Sequence, residues 1–430
     1  MKKLILVFTI LTMLAAAVAA QTPTNAWIAE PDRAQFDSLR RSGLVALYNL
    51  DYDQAQKDFK EIARLYPNHP AGTQLLAARV WLKTLYESRR LQSSLYNSES
   101  FYSSGDDKVD PKVVYEFRSL TREAKRLSET RLKQNPKDIE ALYWVGATEG
   151  LKASFEEAVE RRHFAALKDG DDSVDHHREV LKLDPTFIDA NLIAGLYEYV
   201  VGSLPLPIKV VAGITGFRGS KKKGLALIES VANNGNWARD DARTLLIVLY
   251  TRERRFADAL VNARELSTKY PRNYLFRLEA ADALVAQAEV ERKAKNTDGA
   301  VKAEREAFAT FEDLLHDRSV RETVSRALDL VHFKYGEVLL TAGEGERAAR
   351  EFLAATRVEH AEASLVTMAH LYAARAYDLA GKRDDALAQY REVLTRPDIY
   401  AAHDEAKKGL AKPYKTESAL SEQPVLDGGL

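Results

Sequence analysis

Within Asp329–Tyr400 the chain writes the same pattern of small and aromatic residues twice, and a tandem repeat of this kind dictates stacking. The first copy reads Tyr335-Gly336, then Ala348, Phe352 and Ala355; the second reads Ala373-Ala374, Tyr377, Ala386, Tyr390 and Val393. In each copy an aromatic follows a small residue one helical turn later, so both share a helix face. Small residues fall where two helices must approach closely. A unit this short buries only one face on its own, and neighbouring copies must stack to complete a core. Apolar residues recur at helical spacing through most of the chain, and the period-2 alternation of strands is absent. The expected fold class is all-α.

The spacing resembles the tetratricopeptide repeat, a helix–turn–helix unit of about 34 residues with Gly/Ala, Tyr, Ala-x3-Phe and Pro at fixed places. The resemblance implies a right-handed α-solenoid of about eight hairpins, several with insertions, over residues 36–400. The first unit is Phe36–His69, with Gly43, Tyr52, Ala55, Phe59 and Pro67 in place. The second pairs Ala71–Leu91 with Pro111–Gln134, Asp110 capping the latter, around a Ser/Tyr-rich insert at Gln92–Asp110. The third unit starts at Ile139 and ends at Asp184-Pro185. It is read as two elongated helices meeting near Lys168–Asp172, where glycine and aspartates suggest a turn. The fourth opens with Ala190, Gly195 and Tyr197, and resumes with a helix over Gly224–Ala232 after an apolar insert, Leu204–Phe217. The fifth is Asp240–Asn273. The sixth has helices near Asn273–Lys295 and Thr297–His316, and the tandem pair makes the seventh and eighth. Residues 21–35 read as a lead-in, 401–412 as a polar capping helix and 413–430 as a disordered tail. Residues 204–232 also resemble a segment of the tetratricopeptide repeat protein 39 family, which includes the inclusion-body clearance protein. Leu204-Pro205, Gly216-Phe217-x-Gly219 and Gly224-Leu225-x-x-Ile228 carry that likeness, and Ser220-Lys221 departs from it.

Residues 1–20 have the parts of an export signal. Lys2 and Lys3 are the positive start, Leu4–Leu14 the apolar stretch and Ala15–Ala20 the small-residue cleavage zone. The expectation is a bacterial protein delivered to the periplasm or cell envelope, or secreted. The chain has no cysteine, so disulfides, thiolate chemistry and cysteine-ligated metal are excluded. Its 62 Lys+Arg balance 63 Asp+Glu. A phosphate-binding surface needs a basic excess, so nucleic acid is not the expected partner.

Asp169, Asp171, Asp172, Asp175, His176, His177 and Glu179 form the one acid–histidine run. It lacks the glycine and distal glutamate of a calcium loop, and adjacent histidines diverge by about 100° on a helix, unlike a zinc-binding i, i+4 pair. The plainer reading makes Asp172 a helix N-cap with Asp175 in the first turn. Gly213, Gly216 and Gly219 do not meet phosphate-loop spacing. Gly-x-Ser-x-Gly and His-Glu-x-x-His are absent, so no enzyme and no cofactor is expected.

What remains is binding. The tetratricopeptide resemblance implies a concave groove lined by the first helix of each unit. Counting along the units gives Tyr143, Leu192, Leu196, Tyr199, Phe333, Glu337, Leu371 and Arg375, with Leu340, Met368 and Asp378 beside them. The set lacks the Lys/Asn ladder of repeat domains that clamp a C-terminal carboxylate. The expected role is a scaffold for a protein or peptide. An alternative is a lipid or membrane-surface module using residues 204–217 with Arg218, Lys221, Lys222 and Lys223. A more distant one is an (α/α) toroid acting on polysaccharide, which would need two facing carboxylates.

Overall fold

A computed structural model describes residues 27–88, 91, 109–204, 219–318, 320–359 and 361–415. Among these, every regular element is helical. The chain is an α-solenoid of helical hairpins: α1 (Glu30–Tyr48) with α2 (Tyr52–Leu65), α3 (Ala71–Glu87) with α4 (Pro111–Gln134), and α5 (Ile139–Phe155) with α6 (His163–Leu183). The fourth and fifth are α7 (Asn191–Ser203) with α8 (Lys221–Asn234) and α9 (Arg239–Arg252) with α10 (Phe256–Lys269). The last three are α11 (Tyr274–Lys293) with α12 (Thr297–His316), α13 (Leu328–Thr341) with α14 (Gly345–Ala355), and α15 (Ala363–Leu379) with α16 (Arg383–Leu394). A final helix, α17 (Ala402–Ala411), covers the end of the stack.

The small–aromatic pattern works by close approach. A Cβ added to Gly43 would lie 2.4 Å from the Phe59 ring, and one added to Gly336 would lie 2.7 Å from the Phe352 ring. Glycine on the first helix is therefore what lets the buried aromatic of the second helix press against its backbone. Apolar side chains from Ile28 to Ala406 merge into one continuous core. A smaller cluster between α3, α4 and α5 centres on Phe117 and Phe155, stacked with ring centroids 3.8 Å apart. Polar caps start the helices: Asp51 accepts from Gln54 N–H, Asp110 from Lys112 N–H and Asp138 from Ala141 N–H.

The hairpin turns share one device. A residue with positive φ follows the first helix at Leu50 (63°), Arg254 (58°), Lys295 (62°), Gly343 (82°) and Gly381 (73°). The next N–H then reaches back to close the helix: Asp51 to Ala46 O, Arg255 to Tyr250 O, Asn296 to Glu291 O, Glu344 to Leu339 O and Lys382 to Tyr377 O. Only two of these five turns use glycine, so the other three hold a side chain in a backbone region that costs about 1–2 kcal/mol. Lys295 is exposed, and Lys295→Gly is expected to raise the unfolding free energy by about 1 kcal/mol, read as a higher denaturant midpoint at unchanged m-value.

Several expectations need correction. The third hairpin does not turn near Lys168–Asp172. It turns at Arg161-Arg162, after a π-helical segment Glu156–Glu160, with Arg161 at φ 55°. Gly170 lies inside α6 facing Ala153, so this glycine marks packing and not a turn. Asp172 and Asp175 therefore sit in mid-helix and cap nothing. The first helix begins at Glu30, inside the expected lead-in. The helix after the fourth insert runs over Lys221–Asn234, with Ser220 as its cap. Residues 413–415, in the expected tail, carry no regular secondary structure, and Tyr414 N–H donates to Asp378 (2.7 Å). Residues 1–26, most of both long inserts and 416–430 lie outside the described residues.

Distant hairpins also meet. The Tyr48 and Tyr270 rings stack with centroids 4.8 Å apart, and the Tyr48 hydroxyl donates to Asp241. Asn273 Nδ2 donates to Tyr48 O (2.7 Å), and Arg272 Nη2 pairs with Asp51 (2.7 Å). On α3, the Tyr86 hydroxyl donates to Thr323 O (2.6 Å). The first hairpin thus reaches the corner between the fifth and sixth, and the second reaches the segment before the seventh. Both stitches skip a similar length of chain, so successive turns of the superhelix touch along a seam.

Candidate binding surface

The first helices α11, α13 and α15 lie side by side in the second half of the solenoid, and their shared face carries the candidate surface. Asp282, Val285, Lys334, Glu337, Val338 and Thr341 line a shallow recess of about 140 Å³. Lys334 is 6% exposed and its ammonium bonds Asp282 (2.7 Å). Burial alone would lower the lysine pKa, but Asp282, Glu337 and Glu279 together raise it, so Lys334 stays charged. Two carboxylates, Asp282 and Glu337, and one cation, Lys334, line the recess, which makes its lining acidic. Beyond Glu337, Tyr372 has its phenol pushed up to about 12, by burial first and by Glu337 next. The Arg375 guanidinium lies over both Tyr372 (5.4 Å) and Tyr414 (5.0 Å) and pairs with Glu405 (2.7 Å). Asp378 gathers Arg383, the Tyr390 hydroxyl and Tyr414 N–H, which fixes the chain leaving α17 against α15.

The groove residues counted from sequence divide by burial. Tyr143, Tyr199, Phe333 and Leu371 are 8, 1, 0 and 1% exposed and spend their side chains on packing. The Tyr199 hydroxyl donates to Glu253 (2.7 Å). Leu192, Leu196, Glu337 and Arg375 are half-buried and keep surface to offer, Glu337 and Arg375 on the face just described. Of the basic patch, Lys221 bonds Glu253 and Lys223 bonds Glu198, each at 2.7 Å. Lys222 is exposed, and Arg218 lies outside the described residues. Sequence counting missed Lys334, Asp282 and Tyr372. A buried lysine at helical spacing beside Phe333 was the available signal.

A second acidic region lies at the seam. Asp241 keeps an exposed edge, yet burial is the main cause that pushes its carboxyl up to about 6, with Asp240 and Asp189 adding to it. Nearby, Arg40 is buried with its guanidinium over Trp237 (5.4 Å), and burial lowers its pKa.

The acid–histidine run is structural. Glu149 on α5 is buried between Lys125 of α4 and His176 of α6, bonded to each at 2.8 Å. Burial would raise its carboxyl, but those two donors hold it below the ordinary range. His177 is buried against Gly146, and its Nδ1 bonds Ser173 O (2.7 Å). Asp169 pairs with Lys152 (2.8 Å). Among the described residues no three His, Asp or Glu side chains converge as metal ligands, and no helix is long and apolar enough to cross a membrane.

Comparison with known proteins gives one family match: residues 37–69 fit the model described as tetratricopeptide repeat. No curated protein matches. Among solved structures, a human IFIT1 dimer with PPP-AAAA is 16% identical, covering 89% of this chain and 86% of that one at a TM-score of 0.40. A tetratricopeptide repeat protein from Parabacteroides merdae is 14% identical over 78% and 98%, with a TM-score of 0.29. Yeast Tom70 is 12% identical over 88% and 96%, with a TM-score of 0.32. The narrower resemblance of residues 204–232 gains no support from these likenesses. Its first hairpin and its all-helical stacking make the chain similar to tetratricopeptide repeat proteins.

Proposed function

We propose that the protein is an exported, non-catalytic scaffold that binds a segment of a protein partner on the face formed by α11, α13 and α15. The observation that carries this reading is the acidic recess beside Glu337, bordered by Tyr372 and Arg375 on rigid helices. A preformed surface on stacked helices lowers the ordering cost of binding. Its chemistry favours a basic residue of the partner, since the lining carboxylates Asp282 and Glu337 outnumber the lining cation Lys334. The leader at residues 1–20 supports export, and a reporter enzyme active only outside the cytoplasm, fused after residue 35, tests that point.

The test of binding is photo-cross-linking in cells, with a benzophenone amino acid at position 285 or 341, both in the recess lining. A discrete adduct is expected. Glu337→Lys should reduce it at least tenfold while leaving the melting temperature within a few degrees. Adducts only to abundant bystanders, or one discrete adduct indifferent to Glu337→Lys, would remove this face as the binding site.

A further inference from the structure

The seam between superhelical turns is built differently from every interface between neighbouring hairpins. Neighbours pack along whole helices, with glycine or alanine against a buried aromatic. The seam is made by turns and single side chains: Tyr48, Asn49, Asp51 and Tyr86 on one lip, Asp241, Tyr270, Arg272, Asn273 and Thr323 on the other. Tyr48 stacks on Tyr270 there, and Tyr270, Asn49 and Asn273 are buried. The Arg272–Asp51 pair is partly exposed, and Asp241 has an exposed edge. An interface in which no two described helices pack along their length permits relative motion, and a solenoid distributes such motion as slight rotations at each intervening hairpin.

We propose that the seam is a reversible joint, at which the two turns of the superhelix part and re-engage without unfolding, and that parting gives a partner access to the inner face. The second clause rests on the binding role proposed above; the joint itself does not.

The charges around Asp241 give the joint a direction. Facing it are the Tyr48 hydroxyl from α1, Asp240 on its own helix, Asp189 ahead of α7 and Tyr143 from α5. Tyr270 and Lys269 bond Asp240, and Arg243 lies beside it. Arg40 adds a buried cation next to Asp189. When closed, an ionised Asp241 is repelled by two further carboxylates, Asp240 and Asp189. Protonation removes that repulsion while the Tyr48 hydroxyl still has an oxygen to donate to, so acid favours the closed seam and neutral pH the open one.

The absence of cysteine makes the test clean. Spin labels at Lys57→Cys and Thr268→Cys, both exposed, place one probe behind each lip of the full chain. Pulsed electron resonance should give two distance populations, with the longer one growing at least threefold from pH 5.5 to 7.5. Tyr48→Ala should enlarge it at both pH values, and Asp241→Asn should shrink it at pH 7.5, with helical circular dichroism unchanged throughout. One narrow distance, indifferent to pH and to both substitutions, overturns the joint. If the distances shift as expected but Asp241→Asn captures the cross-linked partner as well as wild type does, the joint stands and its link to binding falls.

Discussion

Asp189→Ala is expected to destabilise the protein by about 2–4 kcal/mol, the largest effect of any single carboxylate replacement proposed here. The Asp189 side chain is buried ahead of α7 and accepts from three backbone N–H groups in the turn before α9: Asn236 (3.0 Å), Trp237 (3.0 Å) and Ala238 (2.9 Å). Ala238 is buried, so its N–H would lose its partner with no access to water. Trp237 is half-buried and Asn236 exposed, so those two donors recover part of the loss by hydration. Asp189→Asn keeps one acceptor oxygen and should cost only about 1 kcal/mol. Asp329 supplies the internal comparison. It is buried at the start of α13 and accepts from Leu330 N–H and Glu362 N–H, the latter opening the next hairpin (3.0 Å). Asp329→Ala removes the same kind of buried acceptor and should also destabilise the protein, by about 2 kcal/mol. Chemical denaturation of the three variants beside wild type tests these losses, and a loss below 1 kcal/mol for Asp189→Ala would show that the turn rearranges to recover its donors.

These two aspartates mark where the sequence stopped being legible. The hairpins could be read because a glycine, an aromatic and a polar cap at helical spacing each do a local job. Gly43 admits Phe59, and Asp110 caps the helix that starts at Pro111. Such features depend on neighbours in sequence, and their positions matched. The turn at Arg161 was not legible, because an arginine there adopts a conformation that glycine usually announces. The glycine at 170, which looked like that announcement, serves helix packing. The seam was illegible for a stronger reason. Tyr48 and Tyr270, or Tyr86 and Thr323, are brought together by the accumulated rotation of four intervening hairpins, and no local pattern encodes that sum.

The groove residues show the same limit at finer grain. The tetratricopeptide resemblance located the right helices, and α13 and α15 do present Glu337 and Arg375 together. It could not tell which positions on those helices are closed off by the next hairpin. Phe333 and Leu371 are covered, whereas Tyr372, one position beyond Leu371, borders the recess. A helix rotated by a fraction of a turn exchanges inner face for core. Binding residues in such a solenoid therefore become legible only with the packing angle in hand.

His177 offers the second large effect, and its sign can be worked out before the measurement. Burial lowers its imidazole from the ordinary 6.5 to about 4, because the ring is enclosed between α5 and α6, against Tyr143 and with Ser173 O as its hydrogen-bond partner. Between those values the unfolded chain holds a proton there that the folded chain does not. Stability from this group is therefore full above pH 6.5 and is lost as pH falls toward 4, by about 3 kcal/mol at 1.36 kcal/mol per unit. His69, also lowered by burial, acts in the same direction. Asp241 opposes both. Its folded carboxyl is raised to about 6 from 3.8, so its contribution is present at low pH and is lost as pH rises through that interval. The exposed edge of Asp241 admits solvent screening, which makes its share the smaller one. The wild-type protein should consequently lose stability on net as pH falls from 6.5 to 4, and the quantity that isolates His177 is the difference from a variant. His177→Asn removes the titrating ring, and its loss relative to wild type, measured by denaturant unfolding, should be greatest at pH 7 and should shrink by about 3 kcal/mol on acidification to pH 4. A difference that stays constant across that range would mean that the folded ring is hydrated and titrates as it does in the unfolded chain.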